Sequence, residues 1–407
     1  MPATDHTTTD LAPGELAGGV LLTIHRWSQG GADRVAMLLA NGFRAAGLPV
    51  GFAVLRGGGE GRDAMLALAD PDIRFAEAGP PLGSRHLELL RGRRFIARQA
   101  ALARPAVVIA SSSNMGLVTG LALRGRGPDG PATAMKLTNP VVRPRTRTAA
   151  VRLYRRRLYA FVFGQFDQIW ALDDAIRADL TVSYPALADR FAVAANPYVT
   201  PRMLAPVAPD PRPRPATILS VARLMPQKRL DRLLRAFAQV PGDSQLVILG
   251  DGPERAALAG LATALGLGRR VTLAGFAADV VSFLRRADLL ALSSDYEGLP
   301  AVALEALASG VPVVTTDCFL GARDLLAGAP GCAVVPIGDE PALAAAIVRG
   351  LAAPRDPAAL RARAAPYAVD TAVAAHLRLV RALIERGAGG ATTPDRATAP
   401  ASPAAAA

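Results

Sequence analysis

The segment from Pro201 to Pro215, PRMLAPVAPDPRPRP, holds six prolines in fifteen residues. Each proline removes a backbone donor and fixes φ, so proline at this density denies helix and sheet and leaves an extended linker. The length of 407 residues suggests two or three domains, and a domain boundary is placed at this run. Both sides share one grammar, in which short, continuous apolar runs alternate with stretches of helical period. On the N-terminal side GVLLTIH from Gly19 reads as a strand, RVAMLLANGFRAAG as a helix closed by Gly47 and PVGFAVL as a second strand, with PAVVIASSS and DQIWALDD further on. On the C-terminal side ATILSVA, SQLVILG, RVTLAG, DLLALSS and VPVVTT are strands separated by LDRLLRAFAQV, PERAALAGLATALGL, DVVSFLRR and AVALEALASG. Strand–loop–helix–strand repeats build parallel sheets, and strands without polar alternation belong to sheets covered on both faces. The expected fold is α/β, with two Rossmann-like domains facing across a cleft. They span residues 18–200 and 216–355, joined by the linker 201–215. A helical segment, 356–387, is expected to pack back on the N-terminal domain. Residues 1–17 and 388–407 read as a disordered leader and tail.

Charge narrows the partners. The formal balance is 46 − 34 = +12, which favours anionic partners without choosing among nucleic acid, phosphorylated substrates and an acidic membrane surface. The two cysteines, Cys318 and Cys332, read as buried thiols, since one disulfide would staple a chain this long poorly. No Cys/His cluster has zinc spacing, and neither a metal nor a cofactor is expected. The first residues lack a basic n-region followed by an apolar stretch, and no apolar run approaches the roughly 20 residues that span a bilayer. The expected location is the cytoplasm, free or peripheral on the inner face of the cytoplasmic membrane.

Chemistry concentrates in two loops of the C-terminal half. In SSDYEGLPAVALEALASG, Glu297 follows a buried strand, and Gly298, Leu299 and Pro300 lead into a helix whose first N–H groups would suit a phosphate. Glu305 lies about a turn and a half into that helix, where a carboxylate can accept hydrogen bonds from sugar hydroxyls. In SVARLMPQKRLDR, Arg223 and Lys228 occupy another strand-to-helix loop, placed to neutralise a diphosphate and its charge as it leaves. Gly250 in LGDGPE, and Gly275 followed by Phe276 in AGF, mark turns at the ends of two more strands. Taken singly, each stretch also reads as a cap, a solvated basic loop or a plain turn.

Taken together, V-A-R-L-x3-K, L-G-D-G-P-E, A-G-F, E-G-L-P-x5-E and G-V-P-V-V form an ordered series over Ala216–Asp317 that resembles the family 4 retaining glycosyltransferases of GT-B architecture. The resemblance implies a donor that is a nucleotide-diphosphate sugar. It gives Glu297, the first glutamate of E-x7-E, to the donor sugar and Glu305 to the nucleotide ribose. Arg223 and Lys228 go to the diphosphate, and the backbone at Phe276 to the base. Gly30 and Gly31 in SQGGADR resemble the family's N-terminal glycine loop, and Asn196-Pro197 the pair that closes the N-terminal domain. No residue stands out as an enzymic nucleophile, so the resemblance implies a same-face reaction in which the leaving phosphate takes the acceptor's proton.

Two departures concern the acceptor. Where many relatives carry a histidine, this chain reads ASSSNMG, leaving Asn114, and AMKLTNP leaves Asn139. His25, at the end of the first strand, is the remaining polar candidate. RPRTRTAAVRLYRRRLYAFVFGQF, from Arg143, can form a basic amphipathic helix in its C-terminal part, a membrane-surface signal, and RHLELLRGRRFIARQAALAR, from Arg85, is a second basic stretch. They point to a lipid-linked or polysaccharide acceptor at an anionic membrane; solvated arginines on core helices are the other reading. A non-catalytic binding protein and a nucleotide-sugar 2-epimerase stay open as alternatives. Nucleic acid is not an expected partner, since the basic runs lack interleaved stacking aromatics.

Overall fold

The computed structural model describes residues 7–27, 31–59, 61–80, 82–127, 129–138, 148–205 and 214–388. The N-terminal half runs β1 (Thr7–Thr8), β2 (Val20–Arg26), α1 (Gly31–Ala45), β3 (Val50–Arg56), α2 (Arg62–Leu66), β4 (Arg74–Glu77), α3 (Arg85–Ala103), β5 (Val107–Ala110), α4 (Ser113–Ala122), β6 (Ala132–Lys136), α5 (Ala149–Phe163), β7 (Gln168–Ala171), α6 (Asp174–Ser183) and β8 (Phe191–Val193). The C-terminal half runs α7 (Pro201–Leu204), β9 (Thr217–Val221), α8 (Leu230–Ala238), β10 (Gln245–Leu249), α9 (Arg255–Ala264), β11 (Val271–Gly275), α10 (Val280–Leu284), β12 (Leu289–Leu292), α11 (Ala301–Ala308), β13 (Val313–Thr316), α12 (Ala322–Leu326), β14 (Ala333–Val335), α13 (Glu340–Ala352), α14 (Pro357–Ala364) and α15 (Val369–Ala388).

Each half is built on one parallel sheet. The C-terminal order is β11-β10-β9-β12-β13-β14, the doubly wound pattern in which the chain starts centrally, runs to one edge and returns to fill the other. The N-terminal order, β1-β4-β3-β2-β5-β6-β7-β8, repeats it with an extra strand at each end. Strand order therefore reverses between β2 and β5 in one sheet and between β9 and β12 in the other. At those switch points neighbouring loops diverge and leave a crevice at the strand C-termini. Apolar clusters cover both faces of both sheets, as the uninterrupted apolar strands require.

Three expectations need correction. Residues 7–17 are not a disordered leader. Thr7 and Thr8 pair in parallel with Phe75 and Ala76, Leu11 and Leu16 are buried, and the Leu11 N–H donates to Gln99 Oε1 at 2.9 Å. Two leucines anchor an otherwise polar segment through sites its own composition does not reveal. The linker does not exclude helix throughout: Pro201 opens the single turn α7, where its missing N–H is no loss, and Met203 is buried beneath it. Residues 206–213 lie outside the described residues, as does the tail beyond Ala388. Finally, Pro300 is the N-cap of α11, with extended φ −70°, ψ 109°, one residue ahead of the first turn expected for it.

The chain crosses back between the halves at Val199. Its N–H donates to the Tyr367 carbonyl, and the Val369 N–H donates to the Val199 carbonyl, both at 2.9 Å. From there α15 runs along α1 and the β5–β6 side of the N-terminal sheet, with Val380 and Leu383 in its core. The helices approach closely because Gly42 has no side chain; a Cβ there would sit 2.3 Å from Val373 Cγ1. One polar contact lies within this packing. Lys136 Nζ donates to His376 Nε2 at 2.5 Å, and His376 Nδ1 is 2.8 Å from the Ala372 carbonyl; both side chains are fully buried.

Candidate active site

The C-terminal switch point is flanked by the loop after β9 and the loop after β12, and a web of hydrogen bonds stitches them together. Gln227 Nε2 donates to the Tyr296 carbonyl at 2.7 Å, and the Asp295 N–H donates to the Gln227 carbonyl at 2.9 Å. Ser293 Oγ lies 3.0 Å from the carbonyls of both Lys228 and Arg229. Asp295, nearly buried, pairs with Arg232 of α8 at 2.7 Å. Arg229 adopts φ +50°, a conformation non-glycine residues rarely take, and its guanidinium is clamped by two 2.9 Å bonds to Asp231. This kink turns the chain so that the preceding residue, Lys228, reaches across to the other loop.

Lys228 Nζ meets Glu297 Oε1 at 2.5 Å, and Ser294 Oγ donates to the same oxygen at 2.6 Å. Both donors take Oε1, which leaves Oε2 for a ligand hydroxyl. The Glu297 N–H is held by the Cys318 carbonyl at 2.6 Å, so backbone and side chain are both fixed. Arg223 stands five residues before Lys228 on the same loop; it is exposed and makes no side-chain bond or ion pair within the described residues. Behind it the loop after β10 approaches closely through Gly250, at φ +127°, where a Cβ would fall 1.9 Å from the Ala222 carbonyl oxygen. Only glycine fits there. Phe276, just beyond β11, is 73% exposed. Gly298 is partly exposed, and Leu299 is buried against the core beneath α11.

Glu305, the fifth residue of α11, is largely buried. Burial pushes its carboxyl above the usual range, while Arg34 holds it back. Arg34 belongs to α1 of the other domain, so the two halves present opposite charges to each other across the cleft. Tyr198, between the domains, bears on Glu305 as well; its hydroxyl accepts from Asn196 Nδ2 at 2.7 Å and its ring packs against the cores of both halves. Asn196 is buried, and its Oδ1 has no hydrogen-bond partner among the described residues.

On the N-terminal side Gly31 opens α1 with nothing within 4 Å of where a Cβ would be. His25 is exposed at the end of β2. Partial burial lowers its pKa, as does the Arg56 guanidinium, and Arg56 is itself paired with Glu88 at 2.5 Å. Asn114 is exposed in the first turn of α4, where a loop was expected. Gly30 and Asn139 lie outside the described residues. Sequence reading missed Ser294, Arg34 and Tyr198. Ser294 stands in the same SSDYEG stretch, three residues before Glu297, and was within reach. Arg34 and Tyr198 meet Glu305 only through the tertiary fold. Among the described residues no group of three or more His, Cys, Asp or Glu could hold a metal, and no helix is long and apolar enough to cross a membrane.

Two parallel-sheet α/β domains are the GT-B architecture, the class to which the structural neighbours of this chain belong. Over 89% of this chain and 99% of the other, the fold superposes with TM-score 0.71 and 18% identity on "lipopolysaccharide outer core galactosyltransferase WaaB apo form". Residues 207–368 match the family "Glycosyl transferases group 1". The chain is 38% identical over 130 residues to the lipopolysaccharide core biosynthesis glycosyltransferase LpsE of Rhizobium meliloti, and 38% identical over 137 residues to the exopolysaccharide phosphotransferase SCO2592 of Streptomyces coelicolor. These matches cover 32% and 33% of this chain, but 38% and 14% of the respective relatives.

Proposed function

We propose that this chain is a retaining glycosyltransferase of family 4, moving a sugar from a nucleotide-diphosphate donor to a lipid-linked or polysaccharide acceptor at the cytoplasmic membrane face. The observation that carries the reading is the Lys228–Glu297 contact, which joins the two loops of the switch point within the matched segment. Bound donor would lie along these loops. Glu305 would take the ribose hydroxyls and Phe276 would flank the base. The α11 N-terminus, Arg223 and Lys228 would meet the diphosphate. Lys228 is placed to serve two anions, releasing part of its hold on Glu297 as charge builds on the departing phosphate. Glu297, with one oxygen pinned, orients the sugar through the other.

We take the reaction as same-face attack, the mechanism that the resemblance implies. The C–O bond to the diphosphate breaks while the acceptor hydroxyl closes on the same face, and its proton passes to the leaving phosphate oxygen. The cations supply the charge neutralisation that this step needs. The acceptor reading draws on the basic, partly apolar N-terminal helices and on relatives named for lipopolysaccharide and exopolysaccharide work.

The test is release of nucleoside diphosphate from a panel of nucleotide sugars in the presence of membrane glycolipid extract. Wild-type protein should release it from at least one donor, and Glu297→Gln should lower turnover about 100-fold or more with an unchanged melting temperature. Equal turnover in the variant would contradict the assigned role, and a trapped covalent glycosyl-enzyme would contradict the same-face step.

A further inference from the structure

The outer face of the N-terminal helices carries apolar surface that the donor chemistry leaves unused. The crossovers reverse after β4, so α3, α4, α5 and α6 share one apolar cluster on the sheet face opposite α1 and α15. Each follows a parallel strand, so the first turns of α3, α4 and α5 all lie at the cleft end of the sheet. Large apolar side chains are exposed at that end. Leu87 and Leu90 of α3 are 53% and 54% exposed, with Leu82 just before them; Leu153 and Tyr154 of α5 are 52% and 66% exposed. Asn114 is in the first turn of α4, which packs against both α3 and α5.

At α3 the leucines line a groove of about 490 Å³, within the range of small-molecule sites. Its apolar wall is Ala78, Leu82, Leu87, Leu90 and Phe95, and its polar rim is Thr9, Asp10, Arg91, Arg94 and Arg98. The rim's one carboxylate is already neutralised, because Asp10 pairs with Arg98 at 2.6 Å. Arg91 is turned inward, donating to the Pro80 carbonyl at 2.6 Å. Arg94 is exposed and makes no ion pair among the described residues, so it is left to meet an external anion. At its cleft end the groove adjoins Glu88, which bonds the Leu82 N–H and pairs with Arg56 beside His25.

We propose that the α3 groove binds the hydrocarbon chain of an anionic membrane lipid, with Arg94 on its phosphate, and that the exposed apolar turn of α5 enters the bilayer beside it. An apolar wall with a cationic rim fits a lipid chain ending in a phosphate, and the wall offers a soluble glycan few hydrogen-bond partners. The two contacts sit on helices that both pack against α4, which carries Asn114. They would set the acceptor side of the cleft against the membrane, so that a lipid-linked acceptor reaches the donor without leaving the bilayer. The inference rests on the membrane-side acceptor reading, and its test is independent of turnover.

The test is co-sedimentation of the full chain with vesicles of phosphatidylcholine alone or with added phosphatidylglycerol, in low salt and at about 0.5 M salt, where the Debye length falls to a few ångströms. Wild-type protein should bind the anionic vesicles and keep part of that binding in high salt, since chain burial is not screened. Leu87→Asp/Leu90→Asp should weaken binding about tenfold or more. Arg94→Gln should reduce the preference for anionic lipid. Val182→Asp, at the far end of α6, should change nothing. Leu82→Asp alone, in the loop, should act in the same direction as the α3 pair, which guards against misfolding of the double variant. The proposal is overturned if wild type binds neither vesicle, or if the leucine variants bind like wild type and salt releases all of them, which would leave only a charged surface. Nucleotide-sugar binding, read separately by thermal shift, should be unaffected by every variant; a chain that binds vesicles but no donor would overturn the transferase reading instead.

Discussion

Replacing Lys136 by methionine should stabilise the protein near neutral pH. The ammonium is fully buried, its Nζ donates to His376 Nε2 at 2.5 Å, and Trp170 stands edge-on to the imidazole. Among the described residues no carboxylate pairs with it. Burial pulls the Lys136 pKa from 10.5 to about 7, and burial with Lys136 pulls His376 well below its usual value. The gap of about 3.5 pH units, at 1.36 kcal/mol each, sets an upper bound of about 5 kcal/mol on the penalty for charging Lys136 in the fold. The sign follows from linkage. Between pH 7 and 10.5 the unfolded chain holds the proton and the folded chain does not, so the penalty grows as pH falls through that window and is complete below about 7. Methionine removes it but leaves His376 Nε2 without a donor, a loss of about 1–3 kcal/mol. The net expectation at pH 7 is a gain of about 2–4 kcal/mol, vanishing or reversing near pH 10.5. Urea unfolding of both proteins at the two pH values, followed by Trp170 fluorescence, measures it. A Lys136→Met variant less stable than wild type at pH 7 would refute the reasoning and make the Lys–His bond a net stabiliser.

Gly250→Ala should disrupt the loops behind Arg223, since alanine meets both a φ of +127° and a carbonyl at 1.9 Å; a loss of about 3 kcal/mol or more in thermal unfolding is expected, with donor binding abolished. If Glu305 binds ribose as a carboxylate, nucleotide affinity should decline on acidification at a higher pH than an ordinary glutamate would dictate. Arg34→Gln should move that decline higher still, because the guanidinium now holds the carboxyl down; calorimetric titration at several pH values reads both. Gly42→Ala should push α15 away from α1 at the Val373 contact and speed amide exchange along α15, whereas unchanged exchange would deny that the helix depends on that close approach.

Much of the fold was legible because it is written in local periodicity. Continuous apolar strands alternating with helices build covered parallel sheets. What escaped depended on partners remote in sequence. Leu11 and Leu16 look isolated in a polar segment until α3 and, for Leu16, Gly51 of β3 supply their sites, and Lys136 meets His376 across 240 positions. The Lys228–Glu297 contact was readable for the same local reason: each residue sits in a motif at a strand end, and adjacent strands bring those ends together. Ser294 was visible beside Glu297 without a reason to select it. Arg34 acts on Glu305 from the other domain, a relation that no spacing within one motif encodes.

The most direct test of the central claim is a thermal-shift titration with nucleoside diphosphates of each base on wild type and Lys228→Ala. A ligand at 100 times its Kd adds about 2.7 kcal/mol to the folded state. Wild type should rise by several degrees with one base, and Lys228→Ala should lose most of that rise. No shift with any nucleotide, or an equal shift in the variant, would contradict a diphosphate site at the Lys228–Glu297 contact.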